Sequence, residues 1–273
     1  MAPGWTIAPD RMTRWLTGPS GWAIHYPEAA RPKRSYGMTA GGVLQAAAQV
    51  TLYPRAGDGG VLHVDASIGW IAADGEPGAI ADFIGRIEAD VRAAGATEIG
   101  CFSRNELGIG WFGLPESRPS MAGGFAAAGY APAETWTLLT TDVSTIPKCP
   151  PPGYSGLTLD VFDRPDDAEH EWIARIKGAD AAECLVWHPP AVFSAAPDFT
   201  EWTTLEVVEV QSPFRRQGLA RWLLGEVAAR LASRGFRKLA AWTETSNAPA
   251  LAWLSTLGFR PAATSRCVTK PLR

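Results

Sequence analysis

Cysteine is scarce in this 273-residue chain: Cys101, Cys149, Cys184 and Cys267 lie far apart, with no C-x-x-C pair. That spacing excludes a disulfide framework or a cysteine metal site, and it leaves the thiols as small packing residues in a reducing compartment. Histidine is equally thin. His25, His63, His170 and His188 are scattered, so no zinc set can be drawn from them and no metal is expected. An excess of positive charge is missing too. Twenty-five Lys and Arg against 28 Asp and Glu give a net charge of −3 and a pI near 5.9, which argues against a nucleic-acid partner, since phosphate neutralisation needs a basic face. No apolar run approaches the roughly 20 residues of a membrane span. The opening Met1-Ala2-Pro3-Gly4-Trp5 lacks the basic-then-apolar order of a secretory leader. A cytoplasmic location with no membrane partner is therefore expected, and the oligomeric state stays open.

Hydrophobic residues are plentiful, at 46% against 19% charged, so the chain is globular and not disordered. Twelve tryptophans supply core, and some could line a pocket for an apolar or aromatic ligand. The clearest punctuation is Ile146-Pro147-Lys148-Cys149-Pro150-Pro151-Pro152-Gly153. Neither a helix nor a central strand passes through such a proline cluster. It predicts an N-terminal domain over 1–146, a linker over 147–156 and a C-terminal domain over 157–273.

The N-terminal half begins irregularly. It then shows strand-like runs from Val43 to Tyr53 and Val61 to Ile71, and a helix from about Pro77 to Ala94. A strand from Glu98 to Phe102, a small-residue helix near Ser120 to Ala128 and a closing strand from Thr135 to Thr141 follow. In the C-terminal half, Leu157 to Phe162 reads as a strand. Asp163-Arg164-Pro165-Asp166 reads as the start of a helix running to about Lys177. The stretch from Ala181 to Phe199 is Pro- and Ala-rich and is left unassigned. Thr203 to Val210 is a strand, and Gln217 to Ser233 a helix with Leu219, Leu223, Val227 and Leu231 every fourth residue. Lys238 to Thr243 (strand), Ala248 to Leu257 (helix) and Ala262 to Thr269 (strand) complete it. Each half runs strand, helix, strand, short helix, Gly-aromatic (Gly129-Tyr130 and Gly258-Phe259), strand, as a degenerate repeat does.

Chemistry concentrates in Val208-Glu209-Val210-Gln211-Ser212-Pro213-Phe214-Arg215-Arg216-Gln217-Gly218-Leu219-Ala220. A strand enters a tight loop that opens a long helix, which aims unpaired backbone N–H groups and the positive helix end at one spot. Gly218 and Ala220 let a phosphate approach the backbone, and Arg215 and Arg216 add charge-assisted donors. A dinucleotide-binding turn is the rival for such a loop, but Gly-x-Gly-x-x-Gly is absent.

Arg215-x-x-Gly218-x-Ala220 resembles the acyl-CoA pyrophosphate loop of the GCN5-related N-acetyltransferases, the GNAT family, with its pattern Arg/Gln-x-x-Gly-x-Gly/Ala. Asn247-Ala248-Pro249-Ala250 resembles the family's Asn-x-x-Ala, and Leu257-Gly258-Phe259 falls where the family has Leu-Gly-Phe. The resemblance covers Thr203 to Phe259. It implies an α/β (α+β) fold of two GNAT-like halves, each a mixed, largely antiparallel sheet flanked by helices. The whole is similar to tandem GNAT proteins, with a degenerate first half. There, Ala73-Asp74-Gly75-Glu76-Pro77-Gly78-Ala79 stands where the loop would be, and its acids would repel pyrophosphate.

The resemblance also implies roles. The backbone of Val208 and Val210 would pair with the pantetheine arm of acetyl-CoA. The amides of Arg216, Gln217, Gly218, Leu219 and Ala220, with the side chains of Arg215 and Arg216, would hold the pyrophosphate. For the two arginines the alternative is a solvated helix start. Asn247 would bond the pantetheine amide or simply cap its helix, and Trp253 would flank the thiol end. The sequence also departs from the family. Leu254 stands where a tyrosine usually protonates the leaving thiolate, and Ser212 where proline is common. No room for the family's two-strand hairpin is found before Thr203. Glu206, read as sharing a face with Val208 and Val210, and Glu244 are candidate general bases, or else rim carboxylates. His188 is a further candidate acid or base, or a loop residue.

The expected activity is acetyl transfer from acetyl-CoA to a primary amine of a small molecule. Acidic net charge favours a cationic acceptor, packed against tryptophans such as Trp187, Trp202 and Trp242. Alternatives are a non-catalytic acyl-CoA sensor, and an acyltransferase with another acyl donor or a hydroxyl acceptor. The Ala-, Gly- and Arg-rich composition points to a high-GC bacterium.

Overall fold

A hairpin opens the computed structural model, which describes residues 33–56, 62–73, 75–101, 113–164, 169–187 and 201–272. Irregular chain is expected there, yet Lys33–Ala40 (β1) pairs antiparallel with Val43–Ala56 (β2) across Gly41-Gly42. Leu62–Ala73 (β3) adds antiparallel to β2. Helix α1 (Pro77–Ala93) starts on Pro77, whose fixed φ suits a first turn. It buries Ile80, Phe83, Ile84, Ile87 and Val91, the predicted helical stripe. Ala96–Cys101 (β4) then returns parallel to β3. The short strand β5 (Leu114–Pro115), helix α2 (Pro119–Ala127) and β6 (Ala131–Asp142) follow.

The second half repeats this plan. Leu157–Arg164 (β7), Glu169–Ile176 (β8), Ala179–Trp187 (β9) and Trp202–Val210 (β10) form an antiparallel meander. Helix α3 (Leu219–Ser233) leads to β11 (Lys238–Glu244), parallel to β10. Helix α4 (Ala248–Thr256) and β12 (Arg260–Pro271) close the chain.

The helix expected from Asp163 to Lys177 is therefore two strands, and β8 with β9 is the hairpin for which no room was found. Burial alternates along β8, with Trp172, Ala174 and Ile176 inside and Glu171, Ile173 and Arg175 less so. Period two is a strand pattern. Lys177 (φ 54°) and Gly178 (φ 83°) form the two-residue turn, in the left-handed region that such hairpins require.

The described residues group into two compact units. The C-terminal unit comprises those of Leu138–Thr243 and Asn247–Ala262. Its sheet runs β6-β11-β10-β9-β8-β7, so the strand beside β11 comes from before the proline cluster. Its core gathers Leu139, Val143 and Ile146 with Trp172, Cys184, Leu205, Leu223, Val227, Leu239, Leu254 and Phe259. Residues 147–154 are no free linker here. Pro147 and Lys148 lie on α3 at Gly225, where a Cβ would sit 2.9 Å from Pro147 O.

The N-terminal unit comprises the described residues of Pro19–Thr137, Glu244–Ser246 and Ala263–Arg273. Its sheet runs β1-β2-β3-β4-β12, with Val268 to Pro271 pairing against Cys101 to Glu98. Lys270 fixes β12 to α1. Its Nζ donates to Glu88 Oε2 at 2.7 Å and to Ala128 O at 2.6 Å, and lies 5.7 Å from the centre of the Tyr130 ring. Burial, and then the Glu88 charge, push the Tyr130 hydroxyl far above its ordinary pKa, so it stays protonated. Glu88 is 6% exposed. A Lys270→Met protein should thus lose about 3 kcal/mol in urea unfolding, the low end for stranding one partner of a buried pair. Adding Glu88→Gln should restore most of the loss. An unchanged urea midpoint in Lys270→Met would show that the pair contributes nothing.

The four cysteines are unbridged thiols. Burial pushes Cys267 up to about 12 and Cys184 further, so neither is a thiolate nucleophile at neutral pH. Among the described residues, no three His, Cys, Asp or Glu gather around a common point, and no helix is long and apolar enough to cross a membrane.

Candidate functional site

Strand β10 is paired on both edges only at its start. Trp202 to Leu205 register with Lys238 to Ala241 of β11, and the parallel pairing stops there. Beyond it β10 holds β9 alone, with Val208 opposite Cys184 and Val210 opposite Ala182. Gln211 N–H donates to Ala181 O at 2.9 Å on that side. Alternation then turns the N–H and C=O groups of Val208 and Val210 toward the edge that β11 has vacated. Their side chains pack on the core with Leu205. The vacated edge is a strand-shaped slot that offers the N–H and C=O of Val208 and the N–H of Val210, while the Val210 carbonyl accepts from the Arg215 side chain.

A bulge lies where the slot begins. Leu205 faces Val186 and Val207 faces Leu185, which leaves Glu206 as the extra residue. The bulge interrupts the alternation on which the expected shared face of Glu206 with Val208 and Val210 rests. Glu206 is half-buried, and its Oε1 is shielded from solvent.

At the other end of the slot β10 runs into the loop. A 3-10 turn (Ser212–Phe214) is followed by Arg215, whose Nε donates to Val210 O at 2.7 Å. Arg216 then adopts φ 60° and Gly218 φ 86°, both left-handed. No side chain caps α3, and its first turn carries no acid. The leading N–H groups from Gln217 through Ala220 thus retain donors for an anion, and the helix dipole adds positive potential. Arg215, Arg216 and Gly218 are exposed, and Leu219 is buried as the helix's first core contact. The Gln217 side chain is turned away, accepting from Tyr154 Oη at 2.5 Å and donating to Pro213 O at 3.2 Å. Its oxygen and one of its amide hydrogens are thus engaged within the C-terminal unit.

Asn247 caps α4, with Oδ1 accepting from Ala250 N–H at 3.2 Å, so only its Nδ2 donor remains for a ligand. Trp253 packs half-buried on the C-terminal core, and Leu254 is buried inside it. Glu244 ends β11 and accepts from Ser246 Oγ at 3.0 Å, and this pair groups with the N-terminal unit. Of the tryptophans, Trp202 opens β10 and Trp187 ends β9 opposite Thr204, both far along the strand from the loop, whereas Trp242 follows the last residue of β11 that pairs with β10. His188 lies outside the described residues.

An acidic cluster escaped the sequence reading. Glu183 sits directly across from Glu209, with Glu171 one strand further on. Burial first, and then Glu171, Glu209 and Asp180, hold the Glu183 carboxyl above the ordinary carboxylate range. A raised acid favours folding below its unfolded pKa and loses that contribution as pH climbs through the folded one. Glu183→Gln should therefore stabilise the protein at pH 7, by about 0.5 kcal/mol after allowing for its exposure. The gain should vanish below about pH 4 and shrink in salt. A pH-independent difference in thermal melts would rule out the charge explanation.

The model of the acetyltransferase (GNAT) family matches residues 143–259, a span that contains the slot, the bulge and the loop. No curated protein matches the sequence. Among solved structures, a tandem GNAT protein from the clavulanic acid biosynthesis pathway aligns over 97% of this chain and 95% of its own, with TM-score 0.66 and 15% identity. A glucosamine N-acetyltransferase region of a fungal multi-domain GH3 β-N-acetylglucosaminidase gives TM-score 0.67 and 13% identity over 98% of this chain and 35% of that one. A GCN5-related N-acetyltransferase from Sphaerobacter thermophilus gives 0.57 and 14% over 85% and 78%. These likenesses are of fold. Acyl transfer from acetyl-CoA is the chemistry of the family whose model matches residues 143–259, and the fold of the chain is similar to that of a tandem GNAT protein.

Proposed function

We propose that the protein transfers an acetyl group from acetyl-CoA to a primary amine of a small, cationic molecule. The observation that carries this reading is the continuity of two features. The vacated edge at Val208 and Val210 leads straight into the uncapped, left-handed turn at Arg216 and Gly218. An amide-bearing arm ending in a pyrophosphate fits such a slot. Pantetheine would add to β10 as a strand, and the amides of Arg216 to Ala220 with the Arg215 and Arg216 side chains would bind the pyrophosphate. Asn247 Nδ2 and Trp253 would flank the arm.

The chemistry would be direct attack. A neutral amine adds to the thioester carbonyl, the oxyanion is held by a β10 N–H on the vacated edge, and the C–S bond breaks to release the CoA thiolate as the nitrogen, cationic after attack, gives up a proton to water. Positioning supplies much of the rate. The ammonium must first lose its proton, and Glu206 at the bulge is the proposed acceptor, with Glu244 second. Leu254 offers no proton to the thiolate, which takes one from water. The acidic pairing of Glu183 with Glu209 supports a cationic acceptor.

Calorimetric titration with acetyl-CoA, followed by thiol-release assays over an amine panel, tests this. Micromolar binding with turnover is the expected result, and absence of binding would overturn it. The buried Leu254 favours one second reading, an acyl-CoA sensor, which would bind acetyl-CoA and release no thiol with any amine.

A further inference from the structure

We propose that Tyr154, in the proline-rich segment, is a positioning residue for the loop between β10 and α3, keeping its backbone in the anion-binding form without itself touching the anion. This rests on the reading of that loop as a CoA pyrophosphate site. Pro147 and Lys148 press on α3 at Gly225, so the segment is seated on the helix that the loop begins. Tyr154 follows a tight turn, its N–H donating to Pro152 O at 2.7 Å. Its ring packs on the C-terminal core and meets Phe214 edge-on, with centroids 5.9 Å apart and planes at 86°. Its hydroxyl donates to Gln217 Oε1 at 2.5 Å, and Gln217 Nε2 donates on to Pro213 O at 3.2 Å. One side chain thus ties the two ends of the turn together, and a tyrosine 63 residues earlier in the chain anchors that side chain.

What lies between the tied ends needs such a brace. Arg216 stands at φ 60°, a conformation that a residue with a Cβ holds only when its surroundings impose it. Relaxing Arg216 would turn its peptide and withdraw an N–H from the anion. The brace also turns the Gln217 side chain toward Tyr154. A tyrosine that only filled the core would need its ring and not its hydroxyl, and this distinction can be measured.

The variant is Tyr154→Phe, which keeps the ring against Phe214. Affinities for acetyl-CoA and for S-acetylpantetheine, which lacks the pyrophosphate, are measured by calorimetry. Amide hydrogen exchange over residues 213–220 is followed in the ligand-free protein. Loss of one hydrogen bond should weaken acetyl-CoA about fivefold, leave S-acetylpantetheine unchanged and speed exchange in the loop. The same change in a Gln217→Leu background should cost nothing further, because the two act as one unit. Equal loss for both ligands, or unchanged acetyl-CoA affinity, would overturn the assignment. A wild-type protein that failed to bind acetyl-CoA, while Tyr154→Phe still speeded loop exchange, would instead overturn the CoA reading and leave only the brace.

Discussion

A Gly218→Glu protein is expected to lose acetyl-CoA affinity by at least about a thousandfold, some 4 kcal/mol, with little change in its far-ultraviolet circular dichroism. Three effects act together at this residue. Its φ of 86° lies where a side chain is strained. A Cβ there would meet nothing within 4 Å, so the new carboxylate would stand in the open space in front of the helix amides. Its charge would then occupy the position proposed for the pyrophosphate and accept the same N–H groups, at a helix start that favours an anion. Glutamate is thus both competitor and repellent. Gly218→Ala separates the terms, since it keeps the strain of roughly 1 kcal/mol and adds no charge. It should weaken binding tenfold or less. Retained micromolar affinity in Gly218→Glu would mean that the anion binds elsewhere.

The loop was legible because its backbone demands residues of a particular kind. A left-handed position with open space in front of it selects glycine, a close helix start selects a small residue at Ala220, and the two arginines complete a short, ordered pattern. The element order from Thr203 to Phe259 was legible for the related reason that apolar periodicity and glycine stops agree there. Strand β8 was misread because Asp163-Arg164-Pro165-Asp166 carries every local mark of a helix start. The alternation of Trp172, Ala174 and Ile176 and the Lys177-Gly178 turn were the competing signals, and they prevail because the sheet buries Trp172 fully. The bulge at Glu206 had no signal in composition, since it is a property of how two strands register. The Tyr154 brace was hidden for a similar reason. Its hydrogen-bond partner Gln217 is 63 residues away, and a proline cluster reads as a spacer whether or not it is seated on a helix.

Strand partnership is the largest gap between pattern and structure, and it sets the second expectation. Residues 157–273, the C-terminal domain drawn from the sequence, should not fold cooperatively, whereas 136–273 should. The shorter piece omits the β6 residues that lie beside β11. It also removes Leu139, Val143 and Ile146, which are 2%, 2% and 6% exposed, from the core around Leu223 and Phe259. At about 1.5–3 kcal/mol for each fully buried side chain, the loss is roughly 5–9 kcal/mol. That is comparable with the entire stability of an ordinary domain, about 5–15 kcal/mol. The bare edge of β11 would favour aggregation as well. Tryptophan fluorescence and urea titration of both pieces decide the matter. A sigmoidal transition for 157–273 with a midpoint like that of 136–273 would show that β6 is dispensable to the acetyltransferase core. The expected outcome is a featureless, weakly sloping curve for the shorter piece and a single transition for the longer. A GNAT domain in this chain then begins some twenty residues before the proline cluster ends, because the strand that completes its sheet comes from the half that precedes it.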